Sequence, residues 1–286
     1  MKQTLAAAAL LIAIPMFASE VAVKVELSDS LRAAVKRGDV KVRVSDERRA
    51  YDAGESAPVV IRDVSPGKVK LRALISTNHG NWVDDPKGVE VDVPRDGQAV
   101  VTLPVTSRMI SGSVALHGKP LRGDLHLFPS DPNRDNWGFA VPIDDAGTFA
   151  FPLPHGGAWD LQISWGNRKW TVQIPRFEFR DDDVHIDLPA GTIAGRVVYD
   201  DGKGAARARL SAVLDRNEKV RAQAIADDDG EFVIDGLGAG TWTVTVDGWK
   251  PMQVVLGDGA RKDGLVVHLP SSYKYSTKDI TAPSKP

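Results

Sequence analysis

The chain repeats itself at a fixed spacing of 83 residues over most of its C-terminal two thirds. The pairs of similar segments at this offset are Ile110–Val114 with Ile193–Val197, Asp144–Phe149 with Asp227–Phe232, and Gly157–Ile163 with Gly240–Val246. A constant offset between matching segments is the sequence signature of repeated structural modules. The repeat therefore predicts two copies of one folding unit, each as long as the offset.

Similar closing sequences mark the ends of the modules. The stretches that close on the dipeptide Leu-Pro are Val100–Pro104, Val184–Pro189 and Val266–Pro270. We therefore predict a first module at 20–105, a second at 106–189, a third at 190–270 and a loose polar tail at 271–286. The first module lacks the Asp-x-x-Gly-x-Phe turn of the other two. It is predicted to be β-rich and is either a diverged third copy or an unrelated domain.

Apolar and polar residues alternate with a period of two in both repeats. Trp159, Leu161 and Ile163 face one side of a predicted strand, and Asp160 and Gln162 face the other. This alternation is typical of a half-buried strand in an antiparallel sheet. Short strands separated by Gly- and Asp-rich turns recur about every dozen residues, which is the spacing typical of a β-sandwich. The sequence therefore predicts an all-β fold of tandem antiparallel β-sandwich modules.

One helix is predicted, in the first module. Ser28 precedes a segment of helical pattern that runs from Leu31 to Arg37, and Gly38 follows it directly. Serine is a favoured helix N-cap and glycine a favoured terminator. The rest of the first module alternates like strands.

The N-terminal residues predict export from the cell. Lys2 is followed by an apolar run that is too short to anchor a helix in a bilayer, and small residues then precede Glu20. These are the features of a secretory signal peptide, here 1–19, with cleavage after Ala18 or Ser19. We expect a periplasmic or extracellular protein of the bacterial envelope, with no transmembrane segment in the mature chain.

Composition excludes several classes of protein. Cysteine is absent, which removes disulfides, thiolate metal sites and cysteine nucleophiles. The 36 basic residues are balanced by 38 acidic ones and are interspersed with them. Because nucleic-acid binding needs concentrated positive charge, nucleic acid is not an expected partner.

The third module resembles the carboxypeptidase regulatory-like domain, within the transthyretin-like and carbohydrate-binding-like group of sandwiches. The residues that carry the resemblance are Ile193-x-Gly195-x-Val197 and the run from Asp227 through Gly230, Phe232, Gly236 and Gly240 to Trp242. Trp242 stands where the family usually has tyrosine. The resemblance implies a transthyretin-like sandwich with an accessory role: bracing a catalytic domain, linking envelope components, or contacting sugars or proteins. It does not imply peptidase activity.

The spacing of chemically active residues argues against an enzyme. The six histidines form no His-x-x-x-His or His-Glu-x-x-His pattern, and the chain has no Gly-x-Ser-x-Gly nucleophile motif. The aspartate runs 181–183 and 227–229 could offer oxygen ligands to calcium, but turn capping explains them more simply. We therefore predict no catalytic residues, no cofactor and no metal.

The seven tryptophans divide into predicted core residues and weak ligand-binding candidates. Periodicity assigns four of them to the core: Trp159, Trp165, Trp170 and Trp242. Trp249 is expected to pack at the start of a strand. Trp82 and Trp137 lie in loop-like sequence, where an exposed indole could stack on a sugar ring. These two are the predicted ligand-binding residues, against the alternative of a structural role.

Together these features predict a non-catalytic binding or assembly protein of the bacterial cell envelope. Its expected partner is a protein or a glycan. An adhesin-like stalk and a carbohydrate-binding accessory protein are the alternatives that the sequence leaves open.

Overall fold

The computed structural model describes residues 19–54, 57–77, 82–85, 87–131, 138–154, 156–167, 169–246 and 249–273. The predicted signal peptide, apart from Ser19, lies outside these residues, as does the tail beyond Tyr273. Both stay predictions. Within the described residues no helix combines the length and the apolar composition that a bilayer-crossing helix needs.

The first module is built from eight strands and one helix. They are β1 Ser19–Glu26, α1 Asp29–Arg37, β2 Val40–Ser45, β3 Ala50–Ala53, β4 Val59–Val64, β5 Gly67–Thr77, β6 Trp82–Asp84, β7 Val89–Val93 and β8 Gln98–Pro104. The predicted helix is confirmed together with both of its ends. Ser28 Oγ accepts a hydrogen bond from the Leu31 amide, and Gly38 ends the helix in the left-handed conformation at φ 82°.

In the second and third modules, the regular elements among the described residues are all strands. Those of the second are β9 Arg108–Leu116, β10 Lys119–Pro120, β11 Gly123–Pro129, β12 Phe139–Ile143, β13 Thr148–Leu153, β14 Ala158–Trp165, β15 Trp170–Glu178 and β16 Asp183–Leu188. Those of the third are β17 Gly191–Tyr199, β18 Arg209–Leu214, β19 Asn217–Ile225, β20 Glu231–Leu237, β21 Gly240–Val246, β22 Met252–Leu256 and β23 Arg261–Leu269. The all-β prediction is confirmed.

Each module contains a small sheet with the module's first strand at its centre. The strand orders are β4-β1-β8, β13-β9-β16 and β20-β17-β23, and in the second module the two-residue β10 also pairs antiparallel with β9. In every case the central strand is antiparallel to the fourth of the strands that the modules share (β4, β13 or β20) and parallel to the module's last strand. The alternation predicted the strands but carries no information on direction, so these parallel pairs are a finding of the structure.

The larger sheets also share one strand order. It is β3-β2-β5 with both β6 and β7 beside β5 in the first module, β12-β11-β14-β15 in the second and β19-β18-β21-β22 in the third. All three modules therefore have the same topology, and α1 occupies the connection between the first and second strands of the first module. This equivalence favours the interpretation of the first module as a diverged copy.

The chain divides into two compact units. The first comprises the residues up to Ile75 together with Asp84–Thr106, and the second comprises Ser76–Val83 together with the chain from Ser107 onward. The second unit thus contains both repeats. The predicted module boundaries themselves stay predictions.

The two repeats in the second unit are joined through one continuous sheet. Strand β15 of the second module pairs antiparallel with β19 of the third, with Trp170 opposite Ala224 and Gln173 opposite Arg221. This pairing makes an eight-stranded sheet in the order β12-β11-β14-β15-β19-β18-β21-β22. The two repeats therefore lie side by side as one body.

A single hydrophobic core underlies this sheet. Trp159 of the second module and Trp242 of the third belong to the same buried cluster, and each is only 1% exposed. Gly236 lets the two modules approach closely, because a side chain there would come within 2.8 Å of Val172 Cγ2. At φ 79° it also adopts a conformation that favours glycine.

A proline lies in or next to each edge strand of the eight-stranded sheet. Pro142 lies within the edge strand β12, and Pro251 directly precedes the other edge strand, β22. Proline has no backbone N–H to donate to a further strand. Pro142 therefore interrupts pairing of a further strand at the β12 edge, whereas Pro251 marks only the start of β22.

The predicted aspartate turns are present in both repeats. Asp144 Oδ1 accepts hydrogen bonds from the Ala146 and Thr148 amides, and Asp227 Oδ1 accepts from the Asp229 and Glu231 amides. The Thr148 hydroxyl also donates to Asp144 Oδ2 at 2.6 Å. These Thr148 hydrogen bonds hold the pKa of Asp144 below its ordinary value.

Replacing either core tryptophan should destabilise the whole second unit. We expect Trp159→Ala and Trp242→Ala each to lower its free energy of unfolding by about 3–5 kcal/mol, because each leaves a large cavity. In urea denaturation followed by circular dichroism, the strands of both repeats should unfold in one shifted transition. Two transitions, with only the mutated repeat shifted, would contradict a shared core.

Removal of the turn aspartate should lower the Tm in a pH-dependent way. Since the folded-state pKa of Asp144 is depressed, its stabilising contribution is present above the unfolded-state pKa of about 4 and is lost as the pH falls through the folded-state value. Asp144→Ala should therefore have a lower Tm than the parent protein at pH 7, and the difference should shrink on acidification. The matched control is Asp145→Ala, whose side chain is 82% exposed and contacts Arg122 only at the surface. Equal Tm losses in the two variants would argue against the cap.

Candidate functional site

Two of the four tryptophans assigned to the core join the second and third modules. Trp165 and Trp170 are only half-buried and stack on each other across the β14–β15 hairpin, with ring centroids 6.3 Å apart. Trp170 Nε1 donates a hydrogen bond to the Val233 carbonyl of the third module at 2.9 Å. The core prediction is confirmed for Trp159 and Trp242, whereas this pair packs at the edge of the core.

The predicted ligand-binding tryptophans are not brought together by the described part of the chain. Trp82 begins β6 and is half-buried, beside the buried Val83. Trp137 lies outside the described residues. Trp249, expected at a strand start, packs edge-on against Tyr273 at 5.6 Å just before β22.

The outer face of the eight-stranded sheet offers a candidate site that spans both repeats. On the inner face Leu161, Val172 and Ala222 enter the core. Because side chains alternate between faces, the residues between them lie on the outer face. The cross-strand partners there form one row of mostly uncharged polar groups: His126, Gln162, Gln173, Arg221, Val213, Thr243 and Gln253.

A shallow groove of about 310 Å³ lies on this face. We call it the sheet-face groove and define it by the polar and aromatic side chains that line it: Phe128, Asp160, Gln162, Gln173, Lys219 and Arg221. Lys219 and Arg221 come from the third module, and the other four come from the second. The groove therefore spans the pairing of β15 with β19.

Phe128 is the aromatic residue of the groove. Its side chain is 40% exposed, and it lies opposite Asp160 in the β11–β14 ladder. The ring rests on the backbone of Gly138, where an added Cβ would come within 2.4 Å of it. The candidate Trp137 directly precedes Gly138 in the sequence. A large exposed ring on a polar sheet face offers an apolar contact surface to a ligand.

Asp160 is held in a fixed position beside this ring. Its Oδ1 accepts a hydrogen bond from Ser130 Oγ at 2.5 Å and another from the Arg176 amide at 2.8 Å. Arg176 adopts φ 54°, and the pairing of β14 with β15 is irregular between Trp159 and Leu161. Bulges of this kind re-aim side chains near functional sites. Here the distortion fixes one carboxylate at the groove wall.

The groove carries groups that can bind a polar ligand. Its amides both donate and accept hydrogen bonds, its carboxylate accepts, and its guanidinium and ammonium groups donate. None of the residues that define it is a histidine, serine or cysteine. Among the described residues, no three histidine, aspartate or glutamate side chains come together as a metal site.

Comparisons with known proteins show distant likenesses of fold. No protein-family model matches the chain, so the resemblance of the third module to carboxypeptidase regulatory-like domains stays a prediction, and no curated protein matches it. The solved structures with some likeness include the Bacillus anthracis TIE protein, at 9% identity and a TM-score of 0.24 over 88% of this chain. The chain spans about half the length of that protein.

Pilins are also among the similar structures. A streptococcal ancillary pilin is 12% identical with a TM-score of 0.24, and the match covers 88% of this chain and 98% of the pilin. The shaft pilin SpaA from Lactobacillus rhamnosus GG is 11% identical with a TM-score of 0.22, over 57% of this chain and 98% of the pilin. At such low TM-scores the function has to be argued from the residues of the site.

Proposed function

We propose that the protein is a non-catalytic binding protein of the bacterial cell envelope whose sheet-face groove holds a glycan. The observation that carries this proposal is the exposed Phe128 ring beside the fixed carboxylate of Asp160 and the amides of Gln162 and Gln173. The predicted signal peptide supports a location outside the cytoplasm.

The chemistry of a sugar ring matches these side chains. A pyranose has an apolar face of C–H groups, which packs against an aromatic ring, and a rim of hydroxyls, each of which donates and accepts hydrogen bonds. Phe128 supplies the apolar contact. The amides and Asp160 supply both types of hydrogen-bond partner, and Lys219 and Arg221 supply further donors.

The arrangement of the repeats supports binding over the stalk alternative. A stalk gains length by placing its modules end to end. The second and third modules instead lie side by side in one sheet, which sacrifices length and widens the outer face. A wide, regular face is useful for contact with an extended ligand.

Truncation of the groove aromatic should weaken glycan binding. We expect Phe128→Ala to reduce retention of the mature protein on purified peptidoglycan or on a neutral polysaccharide by about tenfold, because the apolar contact is lost. The matched control is Val255→Ala, since Val255 is 73% exposed on the same sheet face but lies on edge strand β22, distant from the groove. Unchanged retention of Phe128→Ala, with folding verified by circular dichroism, would refute the groove as the glycan site.

The two tryptophan candidates can be ranked by their place in the sequence. Trp137 is adjacent to Gly138, the residue on which the Phe128 ring rests, whereas Trp82 belongs to β6. We therefore expect Trp137→Ala to weaken retention on the same polysaccharides more than Trp82→Ala does. The reverse order would move the binding site from the groove toward β6.

A further inference from the structure

Positive charge is concentrated on two neighbouring strands of the first module. The outward residues of β2 are Lys41 and Arg43, and those of β5 are Lys68, Lys70 and Arg72. Their inward neighbours, among them Val42 and Leu71, are buried. Strands β2 and β5 are adjacent in the sheet. We call these five cationic side chains the basic face.

Acidic strands border the basic face on both sides. Asp52 of β3 binds Arg43 Nε at 2.6 Å, and Glu90 of β7 binds Lys68 Nζ at 2.7 Å. The Glu90 carboxylate raises the pKa of Lys68 above its ordinary value. Among the residues that the structure describes, Lys70 and Arg72 have no ion pair. In the β5–β7 ladder Glu90 lies opposite Lys70 and Asp92 lies opposite Lys68. The two basic strands thus form a strip of five cations whose charge is partly balanced by the acids of β3 and β7.

The cations of the basic face lie close together, because adjacent strands are about 4.8 Å apart and alternate residues along a strand about 7 Å apart. Opposite charges on β3 and β7 offset part of the repulsion between them. An anionic ligand on the strip would offset the rest.

The basic face continues into a cavity of about 240 Å³ at one end of the sheet. Arg48, Arg49 and Arg62 line it together with Lys68 and Lys70, and the carboxylates of Asp46, Glu47 and Asp63 also border it. The Asp46 carboxylate is occupied within its own turn, where Oδ1 accepts from the Arg48 and Arg49 amides. Arg62 Nε is paired with Glu20 at 3.3 Å. The cavity therefore adds Arg48 and Arg49 to the basic face, beside three carboxylates.

We propose that the basic face binds a linear polysaccharide that carries carboxylate groups. The strip is about 10 Å wide, and its lysines and arginines can pair with carboxylates repeated along a chain. Duplex nucleic acid is a poorer fit, because its densely spaced phosphates would meet the acidic side chains of β3 and β7. Lysine and arginine also pair with phosphate, so the test includes a polyphosphate.

The test is the binding of polygalacturonate to the mature full-length protein by isothermal titration calorimetry. We expect binding that weakens strongly when ionic strength rises from about 50 mM to about 500 mM, because exposed ion pairs are screened. The double variant Lys70→Gln with Arg72→Gln should bind about tenfold more weakly, since it removes the two central cations. The Tm of each variant verifies that it is folded.

The matched control is Lys119→Gln with Lys262→Gln, which removes the same number of positive charges from exposed sites in the second unit. It should bind polygalacturonate like the parent protein. Phe128→Ala should also leave this binding unchanged, so that failure of the basic face and failure of the sheet-face groove are distinguishable. Equal weakening by the control, absence of binding, or comparable affinity for polyphosphate or duplex DNA would overturn the proposal.

Discussion

The antiparallel pairing of β15 with β19 is the interaction on which the second unit depends. Each strand would otherwise be the edge of its own module, with backbone donors and acceptors directed at solvent. Their pairing satisfies these groups and merges the two repeats into one sheet over one core. The hydrogen bond from Trp170 to Val233 and the close approach at Gly236 accompany this pairing.

The outer faces of the larger sheets are where the modules differ in chemistry. Strands β2 and β5 of the first module are the topological equivalents of β11 and β14 of the second. The first pair carries the basic face, and the second pair carries most of the sheet-face groove. Because the inward residues maintain the core, the outward residues of one shared topology are available for different ligands.

Sequence reasoning succeeded where a local rule decides the outcome. Ser28 and Gly38 bound the helix, Asp144 and Asp227 cap their turns, and Trp159 is buried by strand alternation. The prediction placed Trp165 and Trp170 in the core, because the period-two pattern shows which face of a strand a side chain occupies. The pattern does not show how close that side chain lies to the edge of the core. Sequence reasoning missed Phe128, although an aromatic residue at a polar position of β11 was a readable signal. The chain also has nearly equal numbers of basic and acidic residues. For this reason the composition did not reveal that lysines and arginines are concentrated on the outer face of β2 and β5.

The sequence by itself determined that the chain is all-β, that it repeats every 83 residues, and which side chains of most strands point inward. These properties depend on neighbours along the chain. Only the tertiary structure decided that the first and last strands of each module run parallel, that β15 joins β19, and that Phe128, Gln173 and Arg221 meet on one face. Strand pairing joins residues that are far apart in sequence, and many pairings satisfy the same alternation, so the choice among them depends on how the complete cores pack.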